Sequence, residues 1–332
     1  MQALAITAPS SMSDTTEVQD LPEPAPGPGQ VSIDVAAAGI NFVDVIARRG
    51  DSRYAANWPH RPGHEVAGRV RAVGARVEGL AAGQRVAALT PAGGGLAEVA
   101  IADARLVVSI PDGVAFVAAA TAPAVLSTAV LLLTDAGHWH AGESVLMHSA
   151  SGGVGSAVAQ VLAALGDGPR IGTVGHADKV DDARRRGWDV VLVRDDGLAD
   201  AIRTHAPDGV DLILDPLGGS SIERGLEFLA PLGRIVAFGN AAGEPPSPLP
   251  PHGRLMGWNV AVAGLSISAL SQSAPARVAD AIRRGLDLLA DRRVDLDATV
   301  LDGLDEVAQA HQLLADGRGS GKYVVSIAGT HR

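Results

Sequence analysis

The sequence predicts an α/β protein in two parts: a β-rich part that opens and closes the chain, and a doubly wound parallel sheet between. Three observations predict it. Residues 144–238 alternate strand-like and helical runs four times over, the pattern of parallel strands joined by crossover helices. The first 120 residues are instead short runs closed off by glycine and proline, which suits a compact, barrel-like sheet. Between them, a strand passes into a helix through Ser149-Ala150-Ser151-Gly152-Gly153-Val154-Gly155, the glycine turn of dinucleotide-binding folds.

Each element follows from local pattern. Residues 21–29 carry Pro22, Pro24, Pro26 and Pro28 and can only connect. In 30–37, Val31, Ile33 and Val35 alternate onto one face, and 66–73 and 84–89 do likewise between Gly63, Gly74, Gly79 and Gly83. Residues 116–133 form an eighteen-residue uncharged run, long enough for a membrane span. Pro123 interrupts it, so two buried helical segments joined near that proline are expected. Strands then fall at 144–148, 170–174, 190–193, 210–215 and 234–238. Helices fall between them at 154–165, 178–186, 198–205 and 222–229. A Pro-rich loop follows at 244–251, then an apolar strand at 259–270 containing Val260, Val262 and Leu265. Val278, Ile282, Leu286 and Leu289 give 274–290 a helical stripe, and 322–327 is a last strand. The expected division is 123–271 for the parallel-sheet domain, inserted into a catalytic β-rich domain made of 1–122 and 272–332.

Composition narrows the function. Among 332 residues there is no cysteine, which excludes disulfides, thiolate nucleophiles and Cys-ligated zinc. The 37 Asp and Glu outweigh 27 Lys and Arg, for a net charge of −10, and this argues against a nucleic-acid partner. Residues 1–11 lack a basic stretch followed by a long apolar run. A cytoplasmic protein without a membrane or nucleic-acid partner is therefore expected. Of the basic residues only Lys179 and Lys322 are lysines, so an ammonium has a particular use at those two places.

The glycine turn identifies a cofactor class. Gly152 lets backbone approach a pyrophosphate, Gly155 allows close helix–strand packing, and the helix N-terminus favours the anion. Ser151, Gly152, Gly153, Val154 and Gly155 are the expected phosphate cradle. About twenty residues on, an NAD-type fold carries an acid for the ribose 2′-hydroxyl; here the position is Gly175, with Lys179 following. A carboxylate would repel a 2′-phosphate, whereas Lys179 and Arg194 attract it. NADPH is the expected cofactor.

Seven ordered motifs carry a family resemblance. They are Gly39-Ile40-Asn41-Phe42-Val43-Asp44, Pro62-Gly63-His64-Glu65-Val66-Ala67-Gly68, Ser149 to Gly155, Ile171-Gly172-Thr173-Val174-Gly175, Asp215-Pro216-Leu217-Gly218-Gly219, Phe238-Gly239-Asn240 and Gly321-Lys322. Over essentially its whole length the chain resembles the medium-chain dehydrogenase/reductase superfamily, in its zinc-free quinone oxidoreductase and enoyl reductase branch. The resemblance implies a GroES-like β-barrel-type domain joined to a Rossmann domain. It matches Asn41 to a position where the alcohol-dehydrogenase branch has a zinc-binding cysteine, and His64 and Glu65 to that branch's His-Glu pair. No metal is expected, because a His and a Glu without a thiolate hold zinc poorly, and Asp44 and Glu65 are read as structural. The resemblance also places Asn41 and Thr128 at the nicotinamide and makes Phe238, Gly239 and Lys322 cofactor contacts. It puts Tyr54 roughly where the family's substrate cleft has a Tyr-Pro pair, so Asn41 and Tyr54 are the candidate catalytic residues. Arg194-Asp195 resembles an Arg-Asp pair that, with the residue matching Lys179, has been considered a proton donor in enoyl reductases.

An NADPH-dependent reductase of an activated C=C bond (enone or enoyl) or a quinone, working without zinc, follows as the expectation. A zinc-free alcohol or carbonyl dehydrogenase, and a non-catalytic NADPH-binding redox sensor, stay open beside it. Only four Trp, two Tyr and four Phe are present, so a small hydrophobic enone or quinone would meet an aliphatic pocket with the 244–251 loop at its rim. Relatives resembling this chain extend the nucleotide-domain sheet across a two-fold axis, so a homodimer joined through 259–270 is expected.

Overall fold

The structure, a computed structural model, describes residues 1–245 and 248–327. The chain divides into two compact units, Met1–Ser127 with Ser268–Arg332, and Thr128–Ile267. The first division follows Ser127 rather than residue 122 because 122–126 pack on the helix Pro275–Ala290. There a Cβ at Gly285 would lie 3.0 Å from Leu126 Cβ, so the missing side chain is what lets the two helices approach so closely.

In the first unit the long strand Gln30–Ile40 organises a mostly antiparallel sheet. One edge pairs with Glu65–Val73; the other takes Val99–Asp103 along 30–34 and Tyr323–Ser326 along 37–40. Arg85–Leu89 and Val107–Ser109 continue the sheet beyond Glu65–Val73, and Thr299–Asp302 pairs in parallel with Tyr323–Ser326. The strand Tyr323–Ser326 thus brings the chain back to the first unit. Val31, Ile33, Val35, Val66, Val70 and Val86 fill the core against Val307 and Ala310 of the helix Val307–Ala315.

The second unit is a six-stranded parallel sheet. Its order is Val190–Val193, Arg170–Val174, Val145–His148, Val210–Asp215, Leu229–Ala237 and Ala261–Gly264. Numbered along the chain from Val145–His148, the strands run 3-2-1-4-5-6, so the order reverses beside the first strand, where such sheets leave a ligand crevice. Leu146, Ile171, Ile202, Val210, Ile213, Leu226 and Ile235 are the buried core.

Several local expectations are corrected. The apolar stretch 259–270 is a strand only at Ala261–Gly264, and Ile267–Ser273 is a helix. Alternation stops at Gly264, and Ile267, Leu270 and Ser271 take helical spacing, with Ser271 buried. The helix expected at 222–229 is Ser220–Leu226, and Leu229 already begins the next strand. The 116–133 run does break beside its proline: Phe116–Ala119 ends in a turn, and a second segment from Ala122 has Pro123 in its first turn, where no N–H is needed. Phe116–Ala136 is apolar and long enough to cross a membrane, yet most of it is buried in the fold. Of the 244–251 loop, Pro246 and Ser247 lie outside the described residues, as do 328–332 of the closing segment.

Candidate functional site

In the second unit, the strand Val145–His148 ends in Ser149, which takes φ +60°, and Gly152 caps the helix Gly153–Leu165. A Cβ on Gly155 would lie 2.6 Å from the carbonyl oxygens of both Ser149 and Ala150. Only glycine fits there, and the turn folds tightly against the helix. At the helix start the N–H groups of Gly153, Val154 and Gly155 have no acceptor within the helix. Ser151 in this turn is buried, and so is Thr128 on the helix Ser127–Leu131. This cradle stands at the strand-order reversal, where dinucleotide phosphates bind such sheets.

The neighbouring strands bring Gly175, Lys179 and Arg194 together. The Arg194 N–H donates to Val174 O at 2.9 Å, and a Cβ on Gly175 would be 3.1 Å from the Arg194 guanidinium. That guanidinium has only 3.4 Å contacts to Thr173 and, among the described residues, no ion pair. Lys179, half-buried in the turn Ala177–Lys179, has its pKa lowered by burial; Asp178 opposes this, and the charge of Arg194 adds to it. Asp182 joins Asp178 in opposing that shift, so the two cations stand among carboxylates at the ends of these strands. Phe238 and Gly239 follow the strand Leu229–Ala237. The Phe238 N–H donates to Asp215 O at 2.9 Å, and a Cβ on Gly239 would meet Pro216 O at 2.7 Å.

Sequence reasoning missed a polar row beneath this cradle. Thr173 is the register partner of His148, and Asp215 follows Leu214, the partner of Met147. His148, Thr173 and Asp215 are therefore adjacent on one face, and all three are buried. His148 Nδ1 lies 2.8 Å from Thr173 Oγ1, while Asp215 Oδ1 accepts from Leu217 N–H at 2.6 Å and Gly218 N–H at 2.9 Å. Burial pushes the His148 pKa down to about 4; Asp215 pulls it up, and Arg194 and Arg224 push it down further. The ring is neutral at pH 7. A signal existed in the sequence: His148 and Asp215 each end an apolar strand at the crevice.

In the first unit, Asn41 opens the helix Phe42–Arg48 and its side chain is held at both ends. Nδ2 donates to Glu65 Oε1 at 3.0 Å and, more loosely, to Gly39 O at 3.4 Å, while Oδ1 accepts from Lys322 Nζ at 2.9 Å. Lys322 Nζ also donates to Ile40 O at 2.7 Å and pairs with Glu65 Oε1 at 2.6 Å. Lys322 is 2% exposed and Glu65 0%. The other Glu65 oxygen accepts from Ala124 N–H at 2.7 Å. The structure thus moves Lys322 from its expected cofactor role to an internal one, because three acceptors already take its three hydrogens.

Asp44 is the second buried anion. It accepts from Asn41 N–H at 3.0 Å and Gly63 N–H at 2.9 Å; His64 Nδ1 lies 3.1 Å away and His311 Nε2 3.8 Å. Burial raises its pKa, but His311 and His64 outweigh that and hold it well below the usual carboxylate range. Asp44 and Glu65 thus each accept backbone N–H groups from inside the first unit. Tyr54 is half-buried in a turn with the Arg53 guanidinium 5.8 Å from its ring. Its hydroxyl has no hydrogen-bond partner among the described residues, and the structure does not join it to the Asn41 cluster.

A zinc ion does not fit this donor set. Lys322 already places a cation against Asn41 and Glu65, and His64 Nδ1 is turned to Asp44. Among the described residues no group of three or more His, Asp or Glu could hold a metal.

A glycine-turn parallel sheet inserted into a β-rich domain is the architecture of a two-domain dinucleotide-binding fold. Residues 27–112 match the alcohol dehydrogenase GroES-like domain, and 153–284 the zinc-binding dehydrogenase domain. The synaptic vesicle membrane protein VAT-1 homolog of Rattus norvegicus is 36% identical over 231 residues, which cover 69% of this chain but 57% of that protein. Among solved structures, a mycobacterial protein complexed with NADPH is 28% identical with a TM-score of 0.86, covering 98% of this chain and 99% of its own. A Pseudomonas syringae quinone oxidoreductase is 27% identical at TM-score 0.85, again covering 98% and 99%. The chain belongs to the medium-chain dehydrogenase/reductase superfamily, in its quinone oxidoreductase branch.

Proposed function

We propose that this chain is an NADPH-dependent reductase that delivers hydride to a quinone or to the C=C bond of an enone. The paired cations Lys179 and Arg194, at the end of the strands where an NAD-type fold keeps an acid, carry the reading. The solved relatives support it in their own terms, one holding NADPH and one being a quinone oxidoreductase. The residues fit the cofactor: Ser151 to Gly155 would cradle the pyrophosphate, and Lys179 and Arg194 the 2′-phosphate. When bound, NADPH supplies the hydride. The acceptor's oxygen then carries negative charge, which needs a hydrogen-bond donor before water protonates it. Asn41 Nδ2 is the donor we assign to that oxygen. Quinones and enones suit such a site because neither requires a metal to polarise it.

Wild type should bind NADPH at least tenfold more tightly than NADH, measured by titration. Arg194→Ala should lose most of that preference, since a charge-assisted contact contributes about 1.5–3 kcal/mol. Equal affinity for the two cofactors would remove the reading.

The assembly we propose is a homodimer. The strand Ala261–Gly264 ends the parallel sheet, and Leu232, Met256 and Trp258 in the same unit are exposed. Light scattering at micromolar concentration should report twice the chain mass, and Val262→Asp should shift it towards monomer. A monomeric wild type would refute this assembly.

A further inference from the structure

We infer that Lys322 and Glu65 are positioning residues that lock the Asn41 amide with one hydrogen of Nδ2 left for the acceptor. This rests on the reductase reading above. An asparagine amide can turn over, exchanging donor for acceptor. Here it cannot do so without cost. Turning it would set Nδ2 against the Lys322 ammonium, now 2.9 Å from Oδ1, and Oδ1 against the Glu65 carboxylate, now 3.0 Å from Nδ2. Both clashes would be between groups of like polarity beside two buried charges. The pair is itself anchored from outside Asn41, Lys322 by Ile40 O and Glu65 by Ala124 N–H.

The commitments within the cluster are unequal. Lys322 and Glu65 are buried, whereas Asn41 is half-exposed. One Nδ2 hydrogen is fixed on Glu65, and the other has only the 3.4 Å contact to Gly39 O. That second hydrogen is the donor able to turn to a developing oxyanion at little cost. The ammonium on Oδ1 also polarises the amide and strengthens Nδ2 as a donor. An internal cation therefore acts through an amide, in contact with two of the positions matched to zinc ligands in the alcohol-dehydrogenase branch.

The test compares wild type, Lys322→Met/Glu65→Gln, Asn41→Ala and the triple variant, with NADPH and either 1,4-naphthoquinone or cyclohexenone as acceptor. Removing both charges together avoids stranding one of them. The double variant should keep the wild-type circular dichroism and bind NADPH within about threefold by fluorescence titration, while kcat falls at least tenfold. In the Asn41→Ala background the same two changes should lower kcat by less than twofold, because their effect passes through Asn41. If the double variant does not fold, Glu65→Gln alone decides, with the same expected fall in kcat. A wild-type kcat in the folded double variant, or in Glu65→Gln if that one decides, would overturn the inference. So would a full tenfold loss on top of Asn41→Ala. A wild type that oxidises NADPH with neither acceptor would instead overturn the reductase reading, and this inference with it.

Discussion

Gly155→Val is expected to abolish measurable NADPH binding and to destabilise the second unit. Its Cβ would stand 2.6 Å from the carbonyl oxygens of Ser149 and Ala150 and 2.8 Å from the Ala150 carbonyl carbon. These are backbone atoms and cannot swing aside as a flexible side chain would. The helix must move away from the strand, and the N–H groups that face the pyrophosphate move with it. Overpacking of this kind typically costs about 1–3 kcal/mol, and losing the cradle should weaken cofactor binding at least about a hundredfold, or roughly 2.7 kcal/mol. Gly152→Ala is the milder comparison, because its nearest neighbour would be Ser149 O at 3.3 Å. Titration calorimetry with NADPH and thermal unfolding measure both effects. Wild-type affinity in Gly155→Val would show that the turn is not the cofactor cradle.

Asp44→Asn should destabilise the first unit by about 3–5 kcal/mol at pH 7, the usual range for breaking a buried charged network. Its carboxylate serves two backbone N–H groups and faces two histidines from a fully buried position. Its folded pKa lies below the unfolded value of about 3.9. The carboxylate's stabilisation is therefore complete above that unfolded value and is lost as pH falls through the folded one. The gap between wild type and Asp44→Asn in thermal unfolding should be widest at neutral pH and should narrow below about pH 4. A gap that stays constant down to pH 2.5 would mean that the Asp44 charge is not what stabilises the cluster.

Legibility differed between the two units for a physical reason. The second unit alternates buried apolar strands with amphipathic helices, a pattern carried within each segment, so 170–174, 190–193, 198–205 and 210–215 could be read at their observed bounds. In the first unit the short strands Gln2–Ile6, Thr16–Asp20, Val99–Asp103 and Thr299–Asp302 went unread. The helices Phe42–Arg48 and Val307–Ala315 went unread as well. Their signal is not local: Val99–Asp103 is a strand because 30–34 offers it an edge.

The glycine turn, the missing acid at Gly175 and the lysine after it were determined by the sequence alone. Each depends on residues close along the chain, where spacing fixes geometry. The partner of Lys322 was decided only by the tertiary structure. Gly321-Lys322 looks like a cofactor contact in sequence, but the strand Tyr323–Ser326 pairs with 37–40 and so brings the ammonium to Ile40 O, Asn41 Oδ1 and Glu65. Asn41 and Lys322 are 281 residues apart. Local propensity carries no information over that separation, and only the closed sheet selects which buried charge faces which. The same holds for the row of His148, Thr173 and Asp215, which exists because three parallel strands share one register.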